Sequence, residues 1–343
     1  MGSTDSDSFH PKDTRSVLHR VCERLLPDDM HVRFKVEPEF HFITVEGEPF
    51  DYGQYADTYP QNTSADTLLE IASAIQEMGM TVRVVHHEVG EAQLEIEISY
   101  EEACTAADNI LRFKNLARAF TQAQGFDVTF MPKPFVGSAG NGMHCHTQLW
   151  DGDKNLFGGS EEGTLSEQAK SFVAGLLKHA PAITALANPT VNSYKRLVPH
   201  HEAPVYICWG PKNRTALIRV PLFSSTSSAA IEFRSPDPMT NPYLLFSALI
   251  AAGMDGLNQE LDAPQGVTED VFAMTDQERA DRGIDLLPPT LNDALDELDR
   301  NDVLRDALGD ELIDDYVSIK RQEWDDYISH TVTDWEWLQY SRD

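Results

Sequence analysis

The sequence predicts an α+β fold, a curved antiparallel sheet flanked by helices, on three observations. Short segments of polar–apolar alternation come in neighbouring pairs, single long helical patterns separate those pairs, and the regular strand–helix–strand series of a parallel sheet is missing. The polar start MGSTDSDSFHPKD reads as a flexible N-terminus over residues 1–13, followed by a helix near Thr14–Leu26. In RFKVEPEFHFI, Phe34, Val36, Phe40 and Phe42 share one parity and Glu37 and Glu39 the other, so a strand sends both carboxylates to one face. Pro38 between them lacks a ladder donor, which suits an edge or irregular pairing. Ser64 starts a helix to Met80 with an apolar stripe through Leu68, Ile71, Ala72, Ile75 and Met78, and Gly79 stops it.

The next segment, VRVVHHEVGEAQLEIEISY, alternates Leu94, Ile96, Ile98 and Tyr100 with Gln93, Glu95, Glu97 and Ser99, and a tight turn at Gly90 makes it a hairpin. With two residues in that loop, Glu88 faces Gln93 and Glu95 faces His86, leaving Glu88 and Glu95 as diagonal neighbours roughly 7–8 Å apart. One cation could touch both. Helices follow at about Tyr100–Gln124, Leu165–Leu186 and from Pro242 toward Glu260; residues 263–343 form a mainly helical part broken at Pro288 and Pro289.

Two further strands complete a pattern. MHCHTQLW sets His144 and His146 against Met143, Cys145 and Leu149, and IEFRSPD sets Glu232 and Arg234 against Ile231 and Phe233. One such pair is an ordinary solvated strand face; four in one chain compose a site. Its carboxylates would repel each other unless cations neutralised them, and hard oxygen ligands select magnesium or manganese over zinc or copper. No GxxxxGK[ST] occurs, which excludes a P-loop enzyme. The net charge of -29 argues against nucleic acid or anionic membranes as partners. Cys22, Cys104, Cys145 and Cys208 form no CxxC, so neither zinc nor a disulfide framework is indicated. The longest apolar run, YLLFSALIAAGM, is short of the roughly 20 residues a bilayer span needs, and a cytoplasmic protein is expected.

The motifs EPEF at 37–40, HHEV at 86–89, QLEIEI at 93–98, GNGMHCH at 140–146, NPTVNSYKRLVP at 188–199, NRTALIRVP at 213–221 and IEFRSPDPMTNPY at 231–243 resemble, in order, those of the type I glutamine synthetases. The resemblance implies a glutamine synthetase/guanidino kinase-like catalytic domain over residues 14–343. It implies ATP-dependent ligation of glutamate with ammonia through γ-glutamyl phosphate, with two divalent ions, Mg2+ or Mn2+. Glu39, Glu88 and Glu95 would hold one ion, and Glu37, His144 and Glu232 the other. Arg196 and Arg234 would grip the carboxylates of glutamate and Gly140 would offer it backbone. Arg214 would meet the transferred phosphoryl group, Arg219 the nucleotide phosphates, and His146 would lie near the nucleotide. Glu202 would take the proton of the incoming amine. A ring-shaped homo-oligomer is the implied assembly.

The departures from the family pattern point toward alternatives. The chain starts where a small N-terminal sheet domain is expected to end, and the usual GYEAP flap reads HHEAP at 200–204. Ala139 and Gln148 replace an asparagine and a serine, and Ser227, Ala229 and Ala230 stand where basic residues meet ATP. No tyrosine lies between Asp270 and Asp285 for nucleotidylation. These changes allow a larger amine, polyamine-type, in place of ammonia, or a regulatory paralog that binds glutamate without turnover.

The 56 Asp and Glu lie mostly on predicted helix surfaces, as in DALDELDRNDVLRDALGDELIDDY, in the manner of a halophile's protein. Self-repulsion of that size is relieved by salt screening. The melting temperature should therefore rise between dilute buffer and molar KCl, and an identical melt in both would remove the expectation.

Overall fold

A computed structural model describes residues 10–161, 163–199 and 203–341. The strands are β1 (Met30–Ile43), β2 (Val82–His87), β3 (Gln93–Glu102), β4 (Asp127–Thr129), β5 (Met143–Asp151), β6 (Lys154–Asn155), β7 (Tyr206–Pro211), β8 (Ala216–Val220) and β9 (Ile231–Phe233). They form one sheet in the order β2-β3-β1-β5-β9-β8-β7, with β4 added to β1 and β6 to β5. Every pairing is antiparallel except β7 with β8, which is parallel, so the sheet is mixed rather than purely antiparallel.

The helices are α1 (Thr14–Leu25), α2 (Ala65–Glu77), α3 (Ala103–Ala123), α4 (Glu167–Ala187), α5 (Ser193–Arg196) and α6 (Pro242–Asn258). Five more close the chain: α7 (Asp276–Asp281), α8 (Leu291–Asp299), α9 (Asp302–Leu308), α10 (Asp310–His330) and α11 (Asp334–Tyr340). The helical C-terminal part is thus concentrated after Thr290, whose side chain caps α8. Asp13 caps α1 through Ser16 N–H, and Asn241 caps α6 through Tyr243 and Leu244.

One face of the sheet is apolar and covered by helices. Phe34 of β1 stacks on Phe246 of α6 at 3.9 Å between ring centroids, and Phe40 meets Phe113 of α3 at 5.4 Å and Phe130 at 5.7 Å. Phe34, Phe40, Phe42 and Phe233 are fully buried, as the period-2 reading requires. Behind this layer α4 crosses α6 so closely that a Cβ on Gly175 would sit 2.1 Å from Ala252 O and 2.7 Å from Gly256 N.

Several local expectations change. Pro38 lies in a central strand, not at an edge. The β1–β3 register passes from Val36↔Ile98 to Glu39↔Glu95 with no partner assigned to Glu37 or Pro38, so the missing donor falls in a gap of the ladder. On its other side Pro38 meets Met143, the first residue of β5, whose N–H goes to Pro236 O instead. The alternation of β3 ends at Ile98: a register shift opposite Phe34–Val36 puts Glu101 across from core Phe34, and Tyr100 is only half-buried. The strand also runs to Glu102, so α3 begins at Ala103 rather than Tyr100. Met78 is exposed, outside the buried stripe of Leu68, Ile71, Ala72 and Ile75. Ser64 precedes α2 but its hydroxyl binds the buried Asp51 carboxylate rather than the helix end.

The α4–α6 crossing yields a test. Gly175→Ala forces a methyl onto backbone that has no room to give, and should lower stability by about 1–3 kcal/mol, read as a shift in chemical denaturation midpoint.

Candidate active site

The uncovered face of the sheet collects the polar positions of six strands, and strand register decides which of them meet. Across β1 and β3, Glu39 is opposite Glu95; across β3 and β2, Glu95 is opposite His86. Glu88 N–H donates to Gln93 O at 2.7 Å, so the expected Glu88–Gln93 and Glu95–His86 pairings are both present. The turn is closed by Gln93 N–H on Gly90 O, with Ala92 at a φ of 54°. Across β1 and β5, Glu37 is opposite His144 and Lys35 opposite His146; β9 then sets Glu232 against His146, and β8 sets Arg219 against Glu232.

The six expected metal ligands therefore lie on one continuous surface. Three groups of donors have ligand atoms within 4.8 Å of one another: Glu37, His146 and Glu232; Glu37, Glu95 and His144; and His86, Glu88 and Glu95. His144 Nδ1 is 3.5 Å from both Glu37 and Glu232, and its Nε2 is 3.9 Å from Glu39. Glu37 and Glu232 thus both lie beside His144, although none of the three groups contains all of that expected trio and none includes Glu39, and His146, expected beside the nucleotide, lies 2.8 Å from Glu37 as well. His86 adds a donor not assigned from sequence, 2.6 Å from Glu88 and 3.8 Å from Glu95. The donor set, carboxylate oxygens with imidazole, fits hard divalent cations.

The substrate-side residues divide. Arg196 is buried beneath the 140–142 loop and donates to Ser235 O at 2.6 Å. A Cβ on Gly140 would meet Pro132 O at 2.6 Å and Arg196 Cγ at 2.9 Å, and one on Gly142 would meet Arg196 Nη2 at 2.5 Å. Both glycines are what let this guanidinium pack under the loop. Arg234 donates to Glu232 Oε1, and Arg219 reaches Glu232 Oε2 at 2.8 Å, so both arginines converge on that carboxylate. Arg214 is exposed in the β7–β8 turn and meets no site residue among those described. Glu202 and the flap residues His200 and His201 lie outside the described residues. Gln93 links the ligand layer to the loop, donating to Gly140 O at 2.9 Å and Glu39 Oε2 at 3.2 Å, while Gly142 N–H donates to Glu39 at 2.8 Å.

The uncharged Ser227–Ala229 segment is held by amides: Gln148 donates to Ala229 O at 3.1 Å and Asn155 at 2.8 Å. Two residues escaped the sequence reading. Lys35 stands 2.7 Å from Glu37 and 3.0 Å from Glu97, and Tyr55 sets its ring edge-on to His86 at 5.8 Å. Lys35 shares the parity of Glu37 and Glu39, so the signal was present in the alternation; Tyr55 lies in an irregular loop with no such signal.

The electrostatics are those of a site built for cations. Burial, then the charges of Glu37, Glu39, Glu88 and Glu97, push the Glu95 carboxyl up to about 10, and burial with Glu88 also raises Glu39. Burial would raise Glu37, but His146, His144 and Lys35 pull it well below the usual carboxylate range. Glu232 is likewise lowered against its burial, by His146, Arg234, His144 and Arg219. His86 is raised by its bond to Glu88. The groups with raised folded values, Glu95, Glu39 and His86, stabilise the metal-free fold at low pH and lose that contribution as pH rises through them. Glu37 and Glu232 titrate below this range. In EDTA, stability should therefore fall between pH 7 and pH 9 by on the order of 2 kcal/mol, Mg2+ or Mn2+ should flatten the slope, and Glu95→Gln should flatten it without metal, all measured by thermal melts.

Comparison with known proteins agrees with this arrangement. The family profile described as glutamine synthetase, catalytic domain, matches residues 11–340. The glutamine synthetase of Pyrococcus abyssi is 46% identical over 343 residues, covering 96% of this chain and 77% of that protein. That of Methanocaldococcus jannaschii is 42% identical, covering 96% and 74%. Such relatives lend no support to the high-salt expectation, which rests on this chain's charge alone. Two solved structures, apo GmaS without ligand and a GmaS/ADP complex, superpose with TM-scores of 0.88 and 0.89 at 34% identity, each covering 98% of this chain and 79% of its own. By its sheet, its ordered ligand set and these relatives, the chain belongs to the glutamine synthetase family.

Proposed function

We propose that the chain joins ammonia to the γ-carboxylate of glutamate, consuming ATP and passing through γ-glutamyl phosphate. The observation that carries this reading is that Glu37, Glu39, Glu88, Glu95, His144 and Glu232 share one sheet face, all but Glu39 of them in three overlapping donor groups that also include His86 and His146. Glu39, Glu88 and Glu95 would hold one divalent ion and Glu37, His144 and Glu232 the second. When bound, the ions would neutralise the phosphates and align in-line transfer.

The chain's own residues supply the rest. Arg196, fixed under Gly140 and Gly142, suits the carboxylate of glutamate, with Arg234 beside it. Arg219, partly exposed, would face the nucleotide phosphates, and Arg214, exposed in its turn, would meet the transferred phosphoryl group. Glu202 removes a proton from the ammonium and shields the acyl phosphate from water. The existence of an ADP complex of GmaS supports a nucleotide in the same fold.

A second reading, a larger amine, is favoured by one feature. Tyr52, Tyr55 and Tyr59 are exposed by 76%, 56% and 71% in the loop beside His86, and aromatic faces hold alkylammonium groups by cation–π attraction. As to assembly, α11 exposes Trp335, Trp337, Leu338 and Tyr340, an apolar surface that suits contact between copies. Among the described residues no helix is long and apolar enough to cross a membrane, in keeping with a cytoplasmic enzyme.

Glutamate-dependent ADP release, with ammonia and a panel of amines, tests the reading. Turnover with ammonia is expected; turnover with larger amines alone would select the second reading, and none at all with glutamate still bound would select a regulatory paralog. Glu95→Ala and Glu232→Ala should each cost at least about 100-fold in turnover with circular dichroism unchanged, and wild-type rates in either would defeat the ligand assignment.

A further inference from the structure

Lys35 stands two residues before Glu37 on the same face of β1, opposite His146, and only 6% of it is exposed. Its ammonium is 2.7 Å from Glu37 Oε1 and 3.0 Å from Glu97 Oε1, and Arg83 Nε reaches the same Glu97 oxygen at 3.1 Å. His146 Nε2 lies 2.8 Å from Glu37 Oε1. The two oxygens of Glu37 are therefore divided. Oε1 is held by Lys35, with His146 Nε2 close by, whereas Oε2 looks toward His144 Nδ1 at 3.5 Å, itself 3.5 Å from Glu232 Oε1. A buried lysine needs acidic partners, and here one of them is a metal-ligand candidate and the other, Glu97, is not.

We propose that Lys35 is a positioning residue, a fixed internal cation that claims Glu37 Oε1 and presents Glu37 to a divalent ion through Oε2 alone, on the His144–Glu232 side. This rests on the two-cation reading above. A single positive charge inside an acidic cluster acts in two opposite directions. Without metal it relieves repulsion among Glu37, Glu95 and Glu97 and so holds the empty site together. Toward an incoming divalent ion it is a like charge, and keeps the affinity below what the acids alone would give.

The opposite signs make the role testable apart from activity. Mn2+ binding is followed by electron paramagnetic resonance and calorimetry, and melts are recorded in EDTA, for wild type, Lys35→Met and Lys35→Arg. Lys35→Met should melt lower in EDTA yet bind Mn2+ at least threefold more tightly, and Lys35→Arg should stay within twofold of wild type. A lysine that merely filled space would lower the melt without tightening the metal, and unchanged or weaker Mn2+ binding in Lys35→Met overturns the proposal. If that variant fails to fold, the wild-type structure with Mn2+ decides: the ion on Oε2 with Lys35 still on Oε1 supports the role, and a bidentate Glu37 or an ion on Oε1 ends it. Absence of Mn2+ binding by wild type would remove the two-cation reading itself.

Discussion

The antiparallel pairing of β1 with β3 on one side and β5 on the other is the constraint on which the site depends. It sets Glu39 across from Glu95 and Glu37 across from His144, and the next strands extend the row to His86 and Glu232. Because side chains alternate along a strand, a slip of one residue in either pairing would send the acids into the phenylalanine layer. That layer fixes the register: Phe34, Phe40 and Phe42 are buried against α6, α3 and the aromatic cluster behind them. Apolar packing on one face thus positions charge on the other.

Such a surface is electrostatically incomplete. Glu95, buried among four other carboxylates, is pushed by that burial and by their charge toward its neutral form. The chain answers part of this with its own charges, Lys35 on Glu37 and Glu97, Arg219 and Arg234 on Glu232. Those contacts hold the acidic side chains in place, and they tie two arginines expected at substrate and nucleotide to Glu232. Gln93 carries the same order outward, bridging Glu39 to the Gly140 loop under which Arg196 is packed.

Much of this was legible in the sequence because it depends on period and order. The parity of Glu37 with Glu39, of His144 with His146 and of Glu95 with Glu97 predicts a shared polar face, and the hairpin arithmetic from Gly90 predicts the Glu95–His86 and Glu88–Gln93 pairs found in the fold. The stop of α2 near Gly79 was legible too, since a stop is local chemistry, whereas Ser64, read as the start of that helix, turns its hydroxyl to Asp51.

What only the tertiary structure decided is whatever depends on neighbours distant in sequence. Pro38, which lacks a donor, reads as suiting an edge or an irregular pairing, and the fold decides for the second: it sits in a central strand at a gap in the β1–β3 ladder. Tyr100 reads as core until a register shift ends the alternation after Ile98. The parallel β7–β8 pair, the approach of His144 to Glu37 and the capture of Arg219 by Glu232 are distances between strands. The sequence by itself determined which residues could share a face, since that follows from the alternation of a strand. The fold decided which of them touch, because strand order and register are settled by packing over the whole sheet.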